Sequence, residues 1–66
     1  MVNEFGAQYW RYEFENNLPE TMDDYERYYR LLPSIYIYAF SEEEAREKFK
    51  KYFEMEAGEL LQREPW

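Results

Sequence analysis

The sequence predicts a small α+β domain: a single-layer sheet of two or three strands with two helices packed on one face, in the order β-α-β-α with a last strand left open. Three observations predict it. Residues 33–58 read as a strand running directly into a helix whose start is marked by a capping box. Residues 7–15 alternate cleanly between apolar and polar positions. A chain of 66 residues has room for one domain only.

The strand at Ala7–Glu15 places Trp10, Tyr12 and Phe14 on one side and Tyr9, Arg11, Glu13 and Glu15 on the other, the signature of a half-buried strand. Residues 1–6 precede it as a loose lead-in, with Phe5 tucked against the core. Asn16, Asn17, Leu18 and Pro19 form a turn signal that ends it. From Met22 to Leu31 a short helix is expected. Thr21 is its cap, Asp23 and Asp24 lie in its first turn, and Met22, Tyr25, Tyr28, Tyr29 and Leu32 make an irregular apolar stripe. Pro33 ends that helix and suits the entry to a strand, because it lacks an N–H to donate.

Ile35 to Phe40 is then a β-branched and aromatic run, too short for a helix. Both of its faces are apolar: Ile35, Ile37 and Ala39 on one, Tyr36, Tyr38 and Phe40 on the other. A strand with one wet face should alternate apolar with polar, so something beyond a single copy of the chain is expected to cover the tyrosine side. Ser41 follows as N-cap with Glu44 at the third helical position, and Glu42, Glu43 and Glu44 sit on the positive end of the helix dipole. Glu44–Lys48 and Glu47–Lys51 have the favourable order, against one like-charge pair, Glu43–Glu47. Ala45, Phe49, Tyr52, Phe53 and Met55 are expected to face inward, Arg46, Lys50 and Glu54 to face water, and Gly58 to supply a left-handed stop. Leu60 and Leu61 open a segment that reads as a third strand or a docked tail. Trp66 is either frayed or held by its own ring. Whether the first two strands run parallel or antiparallel stays open.

Composition narrows the function by exclusion. Cys and His are absent, which excludes a Cys/His zinc site and a Cys/His nucleophile pair but not a carboxylate site for Ca²⁺ or Mg²⁺. Eight Tyr, five Phe and two Trp take the place of disulfides as the source of core stability. No stretch approaches the ~20 apolar residues of a membrane span, and a cytoplasmic protein with no membrane contact is expected. The net charge is −7, which opposes nucleic acid and anionic membrane as direct ligands. Residues 1–26 carry −6 of it and residues 27–66 only −1.

The acidic pairs Glu13/Glu15, Asp23/Asp24 and Glu42–Glu44 are the residues that resemble catalytic or cation-binding groups. Helix capping and the dipole account for the helical ones. No glycine-rich phosphate loop exists, since Gly6 and Gly58 are far apart. Ser34, Ser41 and Thr21 have no histidine base, and a ligand pocket is hard to hollow from so small a domain. Enzyme is therefore the least favoured class, with no cofactor and no metal expected. Arg46, Lys48, Lys50 and Lys51 are spread around a helix among glutamates, which fits a solvated ion-paired face better than a nucleic-acid patch.

The remaining candidate is a surface of tyrosines and carboxylates on rigid strands. Tyrosine has an apolar body, a polar tip and little rotamer entropy to lose, which suits it to interfaces. Tyr9, Glu13, Glu15, Tyr36 and Tyr38, with Asp23 and Asp24, are the expected protein-binding residues. In size, acidity and aromatic content the chain resembles phage and mobile-element inhibitors of host nucleases and defence complexes, of the anti-CRISPR or anti-restriction type. That resemblance implies a non-enzymatic inhibitor that occupies the nucleic-acid-binding surface of a host protein. The rival reading is a structural interaction module: an obligate homodimer, or a small subunit of a larger assembly.

Overall fold

The computed structural model describes residues 6–20 and 27–66. Within them the chain is a compact α+β fold built on a three-stranded antiparallel sheet. The elements are β1 (Trp10–Glu15), α1 (Arg27–Arg30), β2 (Ser34–Ala39), α2 (Glu42–Phe53) and β3 (Leu60–Pro65). The strand order is β2-β1-β3, so the first strand is central and the last segment is a full third strand. Both pairings are antiparallel, which decides the question the sequence left open. Phe5, the cap Thr21 and the residues Met22, Asp23, Asp24 and Tyr25 lie outside the described residues.

The inner face follows the alternation. Tyr12 and Phe14 of β1 and Ile35, Ile37 and Ala39 of β2 are all buried, and Ala45 and Phe49 of α2 close over them. Phe14 and Phe49 meet edge to face at 6.0 Å, and Phe49 and Phe53 lie 4.8 Å apart. Fully burying a side chain of this size is worth about 1.5–3 kcal/mol, so these few rings carry much of the stability of so small a domain.

Ser41 caps α2 as expected, with the Glu44 N–H donating to Ser41 Oγ at 3.1 Å, while the Glu44 carboxylate, expected to return to the Ser41 N–H, pairs with Lys48 at 3.3 Å. The end of α2 is not as expected. The helix stops at Phe53, and Glu54 takes the left-handed conformation (φ 57°, ψ 31°) with its N–H on the Lys50 carbonyl at 2.7 Å. Gly58 has no positive φ and caps nothing. Its role is steric: a Cβ at this position would lie 2.5 Å from Glu15 Cγ.

Two side chains of α2 also depart from the helical stripe. Tyr52 is exposed, and Arg46 is drawn in. The Arg46 guanidinium lies 5.2 Å from the centre of the Phe14 ring, donates to the Gly58 carbonyl at 3.1 Å and pairs with Glu42 at 2.9 Å. The connection from α2 to β3 passes this end of the helix, and its carbonyls give Arg46 partners that a heptad pattern does not contain.

Asn16 organises the end of the sheet where β1 finishes. Its Oδ1 accepts from the Leu18 N–H at 3.1 Å, the Asx turn that the sequence signals. Its Nδ2 donates to the carbonyls of Tyr29 at 2.9 Å and Leu32 at 2.7 Å, tying the exit of α1 to the end of β1.

Candidate functional site

Side chains of a strand alternate, so burying Tyr12 and Phe14 commits Tyr9, Arg11 and Glu13 to the opposite face. The register then brings three strands together there. Arg11 stands opposite Tyr38 on one side and Glu64 on the other, and Glu13 stands between Tyr36 and Gln62. This outer face is the only place where the tyrosines and strand carboxylates of the sequence meet among the described residues. Tyr36 is 46% exposed, Phe40 38% and Trp66 53%.

The rings form a continuous set. Tyr38 packs edge-on against Trp66 at 4.8 Å, Tyr9 against Phe40 at 4.7 Å, and Tyr9 and Tyr38 lie nearly parallel at 6.5 Å. The Trp66 N–H donates to the Tyr9 carbonyl at 2.9 Å, so the last residue is held by both backbone and ring. Beside the rings the Arg11 guanidinium lies 4.8 Å from the centre of Tyr36 and is ion-paired with Glu64.

At the β2 margin Lys48 donates to the Tyr38 carbonyl at 2.7 Å and pairs with Glu44 at 3.3 Å. Its ammonium titrates above the usual value: burial acts to lower it, and the Glu44 carboxylate and the Tyr9 hydroxyl outweigh that.

The two strand carboxylates are engaged within the fold. Glu13 Oε2 accepts from the Ser34 hydroxyl at 2.6 Å, and Ser34 is buried. Glu15 Oε1 accepts from the Glu59 N–H at 3.0 Å while its side chain rests on Gly58. With Arg11 matched to Glu64, the acidity left on the face is that of Glu13 and Glu15, both already holding hydrogen bonds within the fold. Asp23 and Asp24 lie outside the described residues.

The sequence reading missed what β3 supplies, namely Glu64, Gln62 and Trp66. The period-two spacing of 62, 64 and 66 was a signal for it, obscured by Pro65. Pro65 stands on the free margin of β3, where a missing N–H costs no ladder bond.

Two concavities flank the opposite margin of the sheet, along β2. The larger, about 410 Å³, runs between the strand residues Ile35 and Ile37 and the side chains of Leu32, Tyr52 and Phe53. The smaller, about 230 Å³, continues it past Tyr36 to Tyr38 and Lys48. A space of this size was not expected in so short a chain. It is walled by Tyr52 and Phe53 from the last turn of α2 and by Tyr29 of α1.

Among the described residues no group of three or more acidic side chains gathers that could hold a metal ion, and no helix is long and apolar enough to cross a membrane. No known protein family, curated protein or solved structure matches the chain.

Proposed function

We propose that the protein is a non-enzymatic binding protein that docks on another protein through the outer face of its sheet. The observation that carries this reading is the set of rings on a three-stranded platform: Tyr9, Tyr38, Phe40 and Trp66 pack on one another, and Tyr36, Phe40 and Trp66 are exposed. Interfaces draw their energy from a few aromatic anchors at a desolvated centre, surrounded by polar groups. Tyr36 and Tyr38 are the anchors, and the Arg11–Glu64 pair and Gln62 are the surrounding polar groups. The net charge of −7 favours a target with a basic surface, of the kind that holds nucleic acid. Inhibition of a host nuclease or defence complex, in the manner of a phage or mobile-element counter-defence protein, is the function that joins these two properties.

A second reading is favoured by a separate observation. Glu13 and Glu15 are spent on internal hydrogen bonds, so the face offers rings more than free carboxylates. An aromatic face whose carboxylates already hold internal partners suits a homodimer or a subunit contact as well as it suits a basic groove.

Salt separates the two. Tagged protein mixed with a candidate nuclease or defence complex should retain it at low ionic strength and release it as salt rises, with association slowed more than dissociation is hastened. Tyr38→Ala should weaken the contact by about 1–4 kcal/mol, mainly through faster dissociation. Sedimentation of the protein alone gives the other arm. A dimer that persists in high salt and dissolves on Tyr38→Ala supports the structural module and refutes the inhibitor.

A further inference from the structure

β2 lies at the margin of the sheet, and the bonds of its neighbour determine which of its backbone groups face outward. On β1 and its flank, the Tyr9 carbonyl accepts from the Trp66 N–H at 2.9 Å and the Glu15 N–H donates to the Glu59 carbonyl at 2.8 Å. In an antiparallel ladder both backbone groups of a residue point the same way, so the odd positions of β1 address β3 and its even positions address β2. Tyr12↔Ile37 and Phe14↔Ile35 are then the bonded pairs, and Ser34, Tyr36 and Tyr38 turn their backbone groups away from the sheet. The Tyr38 carbonyl agrees, since it is met from outside by Lys48 Nζ at 2.7 Å and by the Tyr9 hydroxyl at 3.2 Å.

Ser34 is buried, and the Tyr38 carbonyl is occupied. Among the described residues, what the margin leaves open is the N–H and C=O of Tyr36 together with the N–H of Tyr38. These open groups run alongside the two concavities of about 410 and 230 Å³, which share Tyr36, Ile37 and Tyr52. An unpaired strand edge with an apolar groove beside it has the two components of strand addition: main-chain bonds for affinity and a side-chain pocket for selectivity. The β3 margin, by contrast, is blunted by Pro65.

We propose that the β2 margin takes an extended segment of a partner protein as a fourth strand. That segment pairs with the backbone of Tyr36, places a bulky apolar side chain in the larger groove and carries lysine or arginine beside it. Lys48, the charged residue in the lining of the two concavities, is paired with Glu44, so the long-range field is that of the chain's −7, which attracts a basic segment and repels a second copy carrying the same charge. The inference shares Tyr36 and Tyr38 with the proposed function, but it uses their backbone at the margin where that reading uses their rings. It uses the sheet margin, not the outer face.

The test uses short random peptides displayed on phage, selected against the whole protein. Selected sequences should alternate apolar residues with lysine or arginine. Their binding should fall by about tenfold, the worth of one desolvated main-chain hydrogen bond, in a synthetic protein carrying N-methyl-Tyr36. That change removes the outward N–H and keeps the ring, and circular dichroism verifies the fold. Trp66→Ala, on the outer face and in the lining of neither concavity, leaves the Tyr36 backbone and the larger groove intact and should leave peptide binding unchanged. Its failure to bind a nuclease or defence target would therefore bear on the proposed function alone. In the unmodified protein, peptide should slow hydrogen exchange at the Tyr36 amide.

Three results would overturn the proposal. One is a selection that enriches nothing above background, and another is peptide binding indifferent to N-methylation and to the Tyr36 amide. The third is a dimer of the protein that N-methylation dissolves, which would give the margin to a second copy.

Discussion

Gly58→Ala isolates one contact on which the whole third strand depends. Gly58 has ordinary backbone geometry, so alanine here should relieve unfolded-state entropy and stabilise by about 0.4–1 kcal/mol. The added Cβ, however, would fall 2.5 Å from Glu15 Cγ and from Oε1, well inside contact distance. The Glu15 side chain has to swing away, and with it goes the hydrogen bond from the Glu59 N–H at 3.0 Å. Losing an exposed bond of this kind costs about 0.5–1.5 kcal/mol, and residual crowding adds about 1–2 kcal/mol. The net expectation is a loss of about 1–2 kcal/mol, a fall in Tm of roughly 4–16 °C for a domain of this size. The decisive measurement is the double-mutant cycle with Glu15→Ala, followed by thermal and urea melts. Without the glutamate side chain, Gly58→Ala should become neutral or stabilising. Equal destabilisation in both backgrounds would refute the reasoning, because the cost would then lie in the backbone and not against Glu15. In the single variant Trp66 fluorescence should also change before global unfolding, since Glu15 and Glu59 secure the start of the strand that ends at Trp66.

Other perturbations test separate parts of the structure. Ser41→Ala should cost about 0.5–2 kcal/mol by removing the acceptor for the Glu44 N–H, read from urea midpoints, with no effect on binding per folded molecule. Glu54→Gly should stabilise by about 0.5–1 kcal/mol, because a left-handed residue at φ 57° is strained with a Cβ and free without one; an unchanged melt would mean that the helix ends differently. Glu13→Lys should destabilise by about 1–3 kcal/mol, leaving the buried Ser34 hydroxyl without its carboxylate, whereas Glu13→Gln keeps an acceptor and should cost less than about 1 kcal/mol. Lys48 makes an alkaline prediction. Its folded pKa is raised above the usual 10.5, so its contribution is fully present below that value and is lost as pH rises through the folded one. Lys48→Met should flatten that alkaline loss relative to the unaltered protein in melts stepped up in pH.

How much of this was legible in the chain differs from element to element. The inner and outer sides of β1 and β2 were readable residue by residue, because a two-residue period and the burial of one face leave no freedom once a strand is granted. The start of α2 was equally readable, since Ser41 and Glu44 are a local device that acts within one turn. The end of the same helix was not. Gly58 looked like a stop because glycine usually is one there, but its size answers to Glu15, a residue on another strand. Arg46 looked solvated for the same reason: its place on the helix wheel is polar, and only the returning chain puts the Gly58 carbonyl and the Phe14 ring within its reach.

The candidate site divides along the same line. Its rings were visible in the alternation of residues 35–40 and 9–15. Its electrostatics were not, because Glu13 and Glu15 lose their freedom to Ser34 and Glu59, and Arg11 loses its charge excess to Glu64. Local patterning within the chain determined which residues form strands and the long helix and which face each residue takes, because these are set by periods of two and 3.6 residues and by caps that act over a few positions. Tertiary structure alone decided that β1 is central, that β3 completes the face with Trp66, and that the strand carboxylates serve the fold, because each depends on residues brought together from more than twenty positions apart by pairings that no short-range period encodes.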